Sequence, residues 1–245
     1  MRKFLGYILT PFVGIAFFLV LIIFQPIQWV SYKFFGYKAH KRSVDILNFF
    51  LFSTFYLAGN TTKFINKQNL PVGRPIIFLA NHQSLSDIPP LIYYLRKYHA
   101  KFIAKIELTK GYPSISFNLK YGGGANIDRN DSKQSVVEIS KLGKRMHENK
   151  WSALIFPEGT RSKNGMVKPF QVGGIATLLK KCPEALLVPI AINNSWRMVQ
   201  YGSYPISTFE HMTWEVLEPI EPAGRPVDES VKEAEMKIKA HLGQT

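Results

Sequence analysis

A histidine and an aspartate stand five positions apart, directly after a short apolar run. His82 and Asp87 follow the segment Ile76-Ile-Phe-Leu-Ala80. On one continuous α-helix, side chains five positions apart point about 140° away from each other, so the two could not meet. Across a turn they can, and a carboxylate bonded to Nδ1–H would leave Nε2 free to take a proton. The pair predicts a general base with its orienting acid. The alternative is a loop histidine beside a helix-capping aspartate.

Further polar residues follow other apolar runs of the chain. Phe156-Pro-Glu-Gly-Thr-Arg-Ser162 comes after one such run, and in it Gly159 permits a tight turn that exposes backbone N–H groups. The planar guanidinium of Arg161 suits phosphate. Arg129 follows a third run, and Lys105 closes a fourth. Because these clusters recur in order at predicted strand ends, they predict one site at the edge of a sheet.

The segments that must position these residues alternate between strands and helices. Strands are predicted at 74–80, 101–104, 122–127, 152–156, 186–192 and 213–217, and helices at 88–98, 132–149, 174–181 and 227–242. This alternation predicts an α/β fold with a central, mostly parallel or mixed sheet flanked by helices.

Two apolar segments precede this region. No charged residue lies between Lys3 and Lys33, and residues 4–24 reach the length of about 20 residues that crosses a bilayer. The uncharged stretch 46–62 is shorter and carries polar residues, which suits a helix in the membrane interface. Basic residues flank both segments on all sides, which favours a two-helix hairpin entering one leaflet. The alternative is a single transmembrane anchor followed by a core helix. A signal peptide is disfavoured because no small-residue cleavage site follows.

The sequence therefore predicts two domains. Residues 1–66 form an N-terminal two-helix membrane anchor, and residues 67–245 form the α/β domain that carries the site. The mean hydropathy of −0.03 excludes a polytopic membrane protein.

Composition narrows the class of partner. The 245 residues include 31 basic and 17 acidic side chains, a formal charge of +14. Such an excess indicates an anionic partner, which could be nucleic acid, an acidic membrane surface or a phosphorylated substrate. Nucleic acid is disfavoured because no recognisable nucleic-acid-binding module is present. Cys182 is the one cysteine, so an internal disulfide and a multi-cysteine zinc site are excluded.

Four blocks of residues resemble those of the glycerolipid acyltransferase family, most closely its bacterial 1-acylglycerol-3-phosphate acyltransferases. The blocks are Asn81-His82-x4-Asp87, Gly124-x-x-Ile-Asp-Arg129, Phe156-Pro-Glu-Gly-Thr-Arg-Ser162 and Val188-Pro-Ile190. Their order, spacing and strand context agree over residues 70–196. The two N-terminal apolar segments are similar to the two-helix, one-leaflet anchor of that family.

The resemblance implies transfer of a fatty acyl group from acyl-CoA or acyl-carrier protein to the 2-hydroxyl of lysophosphatidic acid, making phosphatidic acid. It implies that His82 is the general base and that Asp87 orients it. The implied substrate-binding residues are Lys105, Arg129, Glu158, Gly159, Thr160 and Arg161. Among them, Lys105, Arg129 and Arg161 would hold the acceptor phosphate. The resemblance implies no acyl-enzyme, no metal and no cofactor besides the acyl donor.

The implied setting is phospholipid biosynthesis at the cytoplasmic face of the inner cell membrane, with a monotopic or single-pass attachment. Two alternative functions remain at this point. One is an acyltransferase of the same family that acts on another lysolipid. The other is a non-catalytic, membrane-tethered protein that binds lipid or thioester.

Overall fold

The computed structural model describes residues 2–244, which contain a sheet of seven strands. The strands are β1 (Thr61–Asn66), β2 (Ile76–Ala80), β3 (Ala100–Lys105), β4 (Ala125–Ile127), β5 (Ser152–Ile155), β6 (Leu186–Asn193) and β7 (His211–Val216). Their order is β1-β7-β6-β2-β5-β3-β4. From β6 to β4 all neighbours are parallel, whereas β7 is antiparallel to β6 and parallel to β1. The predicted α/β fold with a mostly parallel, mixed sheet is confirmed.

The order of the strands reverses at β2. The chain runs from β2 to β3 and β4 on one side, returns to β5, and then places β6 on the other side of β2. All five residues of β2 are buried, as its continuous apolar run requires. In open α/β sheets, ligands bind in the crevice at the carboxyl ends of strands beside such a reversal.

Helices cover both faces of the sheet. They are α1 (Arg2–Ser53), α2 (Ile88–Tyr94), α3 (Ile115–Tyr121), α4 (Ser132–Asn149), α5 (Gly173–Lys181), α6 (Ser195–Met198) and α7 (Val227–His241). Successive side chains of β2 point to opposite faces. Phe78 joins the apolar cluster formed with α1 and α2, and Leu79 joins the cluster formed with α4, α5 and α7. Each face of β2 thus has its own core.

The long helix α1 is broken at Gly36, whose φ of 76° lies outside the helical region. The two halves pack together, and the ring of His40 lies 3.1 Å from the side-chain oxygen of Gln28. A two-helix hairpin is therefore present. Its first half continues through Pro26, beyond the predicted end at residue 24. Arg2–Ala58 is long and apolar enough to cross a membrane by length and composition, and much of its apolar surface is exposed.

The second apolar segment is shorter than predicted. The helix ends at Ser53, a 3₁₀ turn follows over Thr54–Ala58, and residues 61–66 form β1 at the edge of the sheet. Threonines and isoleucine in Thr61–Asn66 suit an edge strand. The sheet therefore takes in the last six residues of the region assigned to the anchor. The division into two domains stays a prediction. Helix α3 was not predicted.

Candidate active site

His82 and Asp87 meet at the carboxyl end of β2. His82 lies in the loop after this strand, and Asp87 ends a short 3₁₀ turn that leads into α2. The His82 Nδ1 atom lies 2.8 Å from Asp87 Oδ2. An ionised carboxylate can only accept, so this contact places the proton on Nδ1. Nε2 has no hydrogen-bond partner within residues 2–244. The side chain of Asp87 is fully buried, whereas that of His82 is 11% exposed. The geometry is that of an imidazole oriented to accept a proton at Nε2.

The Asp87 carboxylate is surrounded by donors. Besides the imidazole, Oδ2 accepts the backbone N–H groups of Gln83 at 2.7 Å and Ser84 at 2.9 Å. Oδ1 accepts the hydroxyls of Ser84, at 3.3 Å, and of Ser195. Charge-assisted hydrogen bonds of this kind offset the cost of burying a carboxylate. They also fix the position of the acid that orients the imidazole.

Phe156 fixes the plane of the imidazole. It follows β5, the neighbour of β2, and its ring stacks on that of His82 with a centroid distance of 4.0 Å and an interplanar angle of 16°. The stack restrains the plane of the ring, and the bond to Asp87 restrains the direction in which Nδ1 points. Together they hold the ring in one orientation. Sequence reasoning gave Phe156 no role, although it opens the third block.

Glu158 joins the first and third blocks. Its Oε1 accepts the backbone N–H of His82 at 3.0 Å, and the N–H of Ser162 donates to the carbonyl of His82 at 2.7 Å. Burial raises the pKa of Glu158 to about 7, although the His82 N–H acts in the opposite direction. The side chain thus turns toward the loop that carries the imidazole. A part in binding substrate stays a prediction.

The turn at Gly159 uses its own amide. Gly159 has a φ of 70°, and its N–H donates to the carbonyl of Phe156 at 3.1 Å, so this N–H is engaged within the turn. The ammonium of Lys168 donates to the Thr160 hydroxyl at 3.0 Å and to the Arg161 carbonyl at 2.9 Å. Lys168 therefore shapes the loop. The signal for it was the segment Lys168-Pro-Phe-Gln-Val-Gly173 after the third block.

The three predicted phosphate-binding cations lie at the edge of the sheet formed by the carboxyl ends of the parallel strands. Lys105 ends β3, Arg129 follows β4, and Arg161 follows β5; all three are exposed. None of them has an acidic partner within 4.0 Å in the described part of the chain. Arg129 lines an open groove of about 320 Å³ at the starts of α4 and α5. The residues lining that groove do not include His82.

Ser195 is a site residue that sequence reasoning missed. It is the first residue of α6, it is fully buried, and its hydroxyl donates to Asp87 Oδ1. The side-chain oxygen of Gln83 accepts the N–H of Trp196 at 3.3 Å and lies 3.2 Å from the Ser195 hydroxyl. The available signal was a serine just after a buried strand that ends beside β2.

Strand β6 positions the first block from within the core. The fourth block lies in this strand, where Val188 and Ile190 are fully buried. Asn81 bonds both backbone groups of Ile192, with distances of 2.9 Å for Nδ2 to the carbonyl and 2.7 Å for the N–H to Oδ1. These bonds continue the pairing of β2 with β6 past the end of β2. They anchor the residue that precedes His82.

Comparisons with known proteins agree with this geometry. The Acyltransferase family model matches residues 61–193, which include all four blocks. Human 1-acyl-sn-glycerol-3-phosphate acyltransferase beta is 29% identical over 182 residues, covering 74% of this chain and 64% of the human protein. The 1-acyl-sn-glycerol-3-phosphate acyltransferase of Helicobacter pylori is 33% identical over 141 residues, covering 56% of this chain and 55% of that protein. The chain thus spans less than two thirds of either relative.

A solved structure shares the fold. The 1-acyl-sn-glycerophosphate acyltransferase PlsC from Thermotoga maritima superposes with a TM-score of 0.80 at 23% identity, covering 99% of this chain and 97% of that chain. The likeness therefore includes α1 as well as the sheet. With the family model covering more than half of its length and all four blocks in place, this chain belongs to the acyltransferase family.

Proposed function

We propose that this protein transfers a fatty acyl group from acyl-CoA or acyl-carrier protein to the 2-hydroxyl of 1-acylglycerol-3-phosphate, making phosphatidic acid. The observation that carries the proposal is the His82 imidazole at the sheet crevice, which is bonded through Nδ1 to a buried carboxylate and whose Nε2 has no partner among residues 2–244. The names of the human and Helicobacter pylori relatives support the choice of acceptor.

The proposed reaction is a direct acyl transfer. Nε2 of His82 takes the proton of the acceptor hydroxyl as its oxygen attacks the thioester carbonyl carbon. The tetrahedral intermediate then collapses, the carbon–sulfur bond breaks, and the thiol leaves with the proton returned by the imidazolium. The products are an ester and a free thiol. Asp87 keeps the imidazole in the required tautomer and stabilises its transient positive charge.

The serines of the first block do not supply a nucleophile. The hydroxyls of Ser84 and Ser86 are bonded to each other, and Ser84 also contacts Asp87. Neither is bonded to His82 in the described residues. A base whose Nε2 bonds no protein hydroxyl in the part of the chain that the structure describes suits an alcohol brought by the substrate.

The third block is the better source of donors for the developing oxyanion. The N–H groups of His82, Gln83 and Ser84 are all engaged by carboxylates. Across the chain from 2 to 244, the N–H groups of Thr160 and Arg161 have no such partner. They are candidates to stabilise negative charge on the carbonyl oxygen. Lys105, Arg129 and Arg161 remain the proposed ligands of the acceptor phosphate.

The proposed setting is the cytoplasmic face of the cell membrane, with a monotopic attachment. Helix α1 contacts the α/β body along its first half, from Thr10, which bonds Ile206, to Leu21, whose carbonyl accepts the Ser114 hydroxyl at 2.6 Å. A bilayer-crossing helix would have to leave these contacts. The exposed apolar face of α1 can instead enter one leaflet while its other face stays on the body.

A panel of donors and acceptors tests this function. Purified full-length protein in mixed micelles would be given labelled acyl-CoA or acyl-carrier protein with lysophosphatidic acid, lysophosphatidylcholine or lysophosphatidylethanolamine. We expect phosphatidic acid as the main product, formed at least about 10²-fold more slowly by His82→Ala. Acylation of another lysolipid but not of lysophosphatidic acid would overturn the acceptor. Thioester binding without turnover on any acceptor would overturn the enzymatic function.

A further inference from the structure

The loop between α6 and β7, residues 199–210, packs against the first turns of α1. The N–H of Ile206 donates to the Thr10 hydroxyl at 2.9 Å, and the Tyr204 hydroxyl donates to the carbonyl of Tyr7 at 3.1 Å. Thr208 donates to the carbonyl of Arg2 at 3.2 Å. The bonds recur over three turns of the helix, so the 199–210 loop and the start of α1 form one continuous surface.

Gly6 lets the two backbones touch. A Cβ at this position would lie 2.2 Å from the carbonyl oxygen of Ile206 and 3.1 Å from Pro205. Ile206 is buried in this contact. Because backbone atoms rather than flexible side chains set the distance between the loop and α1, the position of the loop on the helix is fixed.

The outer side of the loop carries aromatic residues. Tyr204 is 55% exposed, Phe209 47% and Tyr201 39%. The ring of Tyr204 meets that of Tyr7 edge to face at 5.5 Å, and the Lys3 ammonium lies 5.2 Å from the centre of the Tyr201 ring. Aromatic rings beside basic side chains are typical of the interface between bilayer and water. Through its contact with Tyr7, Tyr204 lies beside the exposed apolar face of α1.

We propose that the 199–210 loop is a second membrane contact, which lies in the boundary between lipid headgroups and acyl chains. The proposal rests on the proposed attachment through α1, and it deepens it. A bilayer that covers Tyr7 has to reach Tyr204, which is packed against it. The loop follows α6, whose Ser195 bonds Asp87. The contact therefore holds the catalytic edge of the sheet at the lipid surface, where a lysolipid acceptor resides.

Site-specific fluorescence tests the proposal on the full-length protein. In a Cys182→Ala background, single cysteines at Tyr204 or Phe209 would carry a polarity-sensitive fluorophore. Phe12→Cys on α1 is the positive control, and Met236→Cys on α7, which is 52% exposed, is the control for an exposed site away from α1. Vesicles would contain phosphatidylcholine, a minority of phosphatidylglycerol, and lipids with a nitroxide on the acyl chain.

We expect labels at positions 204 and 209 to shift to the blue and to be quenched by the nitroxide, as at position 12, while position 236 stays in water. A label at 204 that stays in water while position 12 is quenched would overturn the loop contact but leave the α1 attachment intact. Burial of the 204 label by self-association without lipid would also overturn it. Acyl transfer to lysophosphatidic acid in detergent reports on the proposed function separately.

Discussion

Two clusters of polar side chains, one buried and one half-buried around the buried Lys101, lie at opposite edges of the sheet. The catalytic-edge cluster is His82, Asp87 and Ser195, at the carboxyl ends of β2 and β6. The hinge cluster is Tyr37, His99, Lys101 and Trp151, near the amino ends of β3 and β5 and directly after the break in α1. In the hinge cluster Lys101 donates to the Tyr37 hydroxyl, which lies 2.8 Å from His99 Nε2. The Lys101 ammonium lies 4.8 Å from the centre of the Trp151 ring.

The two clusters treat a buried charge differently. Both oxygens of Asp87 accept hydrogen bonds, and within the described residues Nε2 of the imidazole beside it has no partner. Lys101 has no carboxylate within 4.0 Å among residues 2–244, and burial lowers its pKa to about 7. Burial, together with Lys101, lowers the pKa of His99 to about 3. We infer that the first cluster is arranged to move a proton, whereas the second holds the start of the second half of α1 on the body.

The largest expected effect is the loss of activity in His82→Ala. Removing a positioned general base costs about 10²- to 10⁴-fold in rate. Because the imidazole bonds the buried Asp87 carboxylate and stacks on Phe156, the free energy of unfolding should also fall, by about 1–3 kcal/mol for the lost hydrogen bond. Initial rates with lysophosphatidic acid and urea unfolding curves measure the two effects. Near-normal turnover would contradict the assignment of the base.

Asp87→Asn should damage both activity and stability. Both oxygens of the carboxylate accept hydrogen bonds, whereas an amide has only one accepting oxygen. Its NH₂ group would therefore point at one or more donors, which would lose their acceptor. We expect turnover to fall by about 10²-fold, and the free energy of unfolding to fall by about 1–3 kcal/mol for each donor left unsatisfied. Unchanged unfolding would show that the donors around Asp87 are not needed for its position.

Ser195→Ala should have a smaller effect, which acts through Asp87. Loss of one hydrogen bond of about 1.4 kcal/mol corresponds to about a tenfold lower kcat. With one donor fewer, the carboxylate attracts the imidazole proton more strongly, so the acidic limb of the pH–rate profile should move to higher pH. Ser195→Thr, which keeps a hydroxyl, should return the acidic limb to its wild-type pH.

Ser230→Ala, a fully buried serine on α7, is the matched control for the loss of a buried hydroxyl. A fall in kcat with no movement of the limb in Ser195→Ala would mean that the serine only supports the fold.

Lys101→Met should leave catalysis nearly unchanged and alter the dependence of stability on pH. The pKa of Lys101 is about 7 in the fold against an ordinary 10.5, so the unfolded chain binds more protons between these values. In the wild type, this group makes the free energy of unfolding rise as the pH rises from about 7 to 10.5. Below pH 7 the ammonium is charged in the fold, and its burial lowers the free energy of unfolding by the full amount. The variant should lack that rise. Lys110→Met, at an exposed position, should keep it.

The sequence was sufficient for the parts of the site that lie close together along the chain. The spacing of His82 and Asp87 allowed a pair across a turn, the further clusters at predicted strand ends favoured it, and the structure brings the two side chains together. Ser195 and Phe156 were missed because their contacts depend on which strands neighbour β2, which the strand order alone decides.

The same difference between local and long-range contacts decides which parts of the fold could be predicted. The buried run of β2 and the helical spacing of α4 were predicted because burial patterns are local. Strand β1 was missed because it pairs with β7, about 150 residues away in the chain. Its threonines sit beside an apolar helix, so the local pattern favoured the anchor.

Release of thiol from acyl-CoA, followed rapidly after mixing with the wild-type protein, tests the central claim most directly. If His82 activates the acceptor hydroxyl itself, thiol release requires lysophosphatidic acid and equals the phosphatidic acid formed at every time point. A burst of thiol without acceptor, accompanied by an acyl group bound covalently to the protein in the mass spectrum, would contradict it.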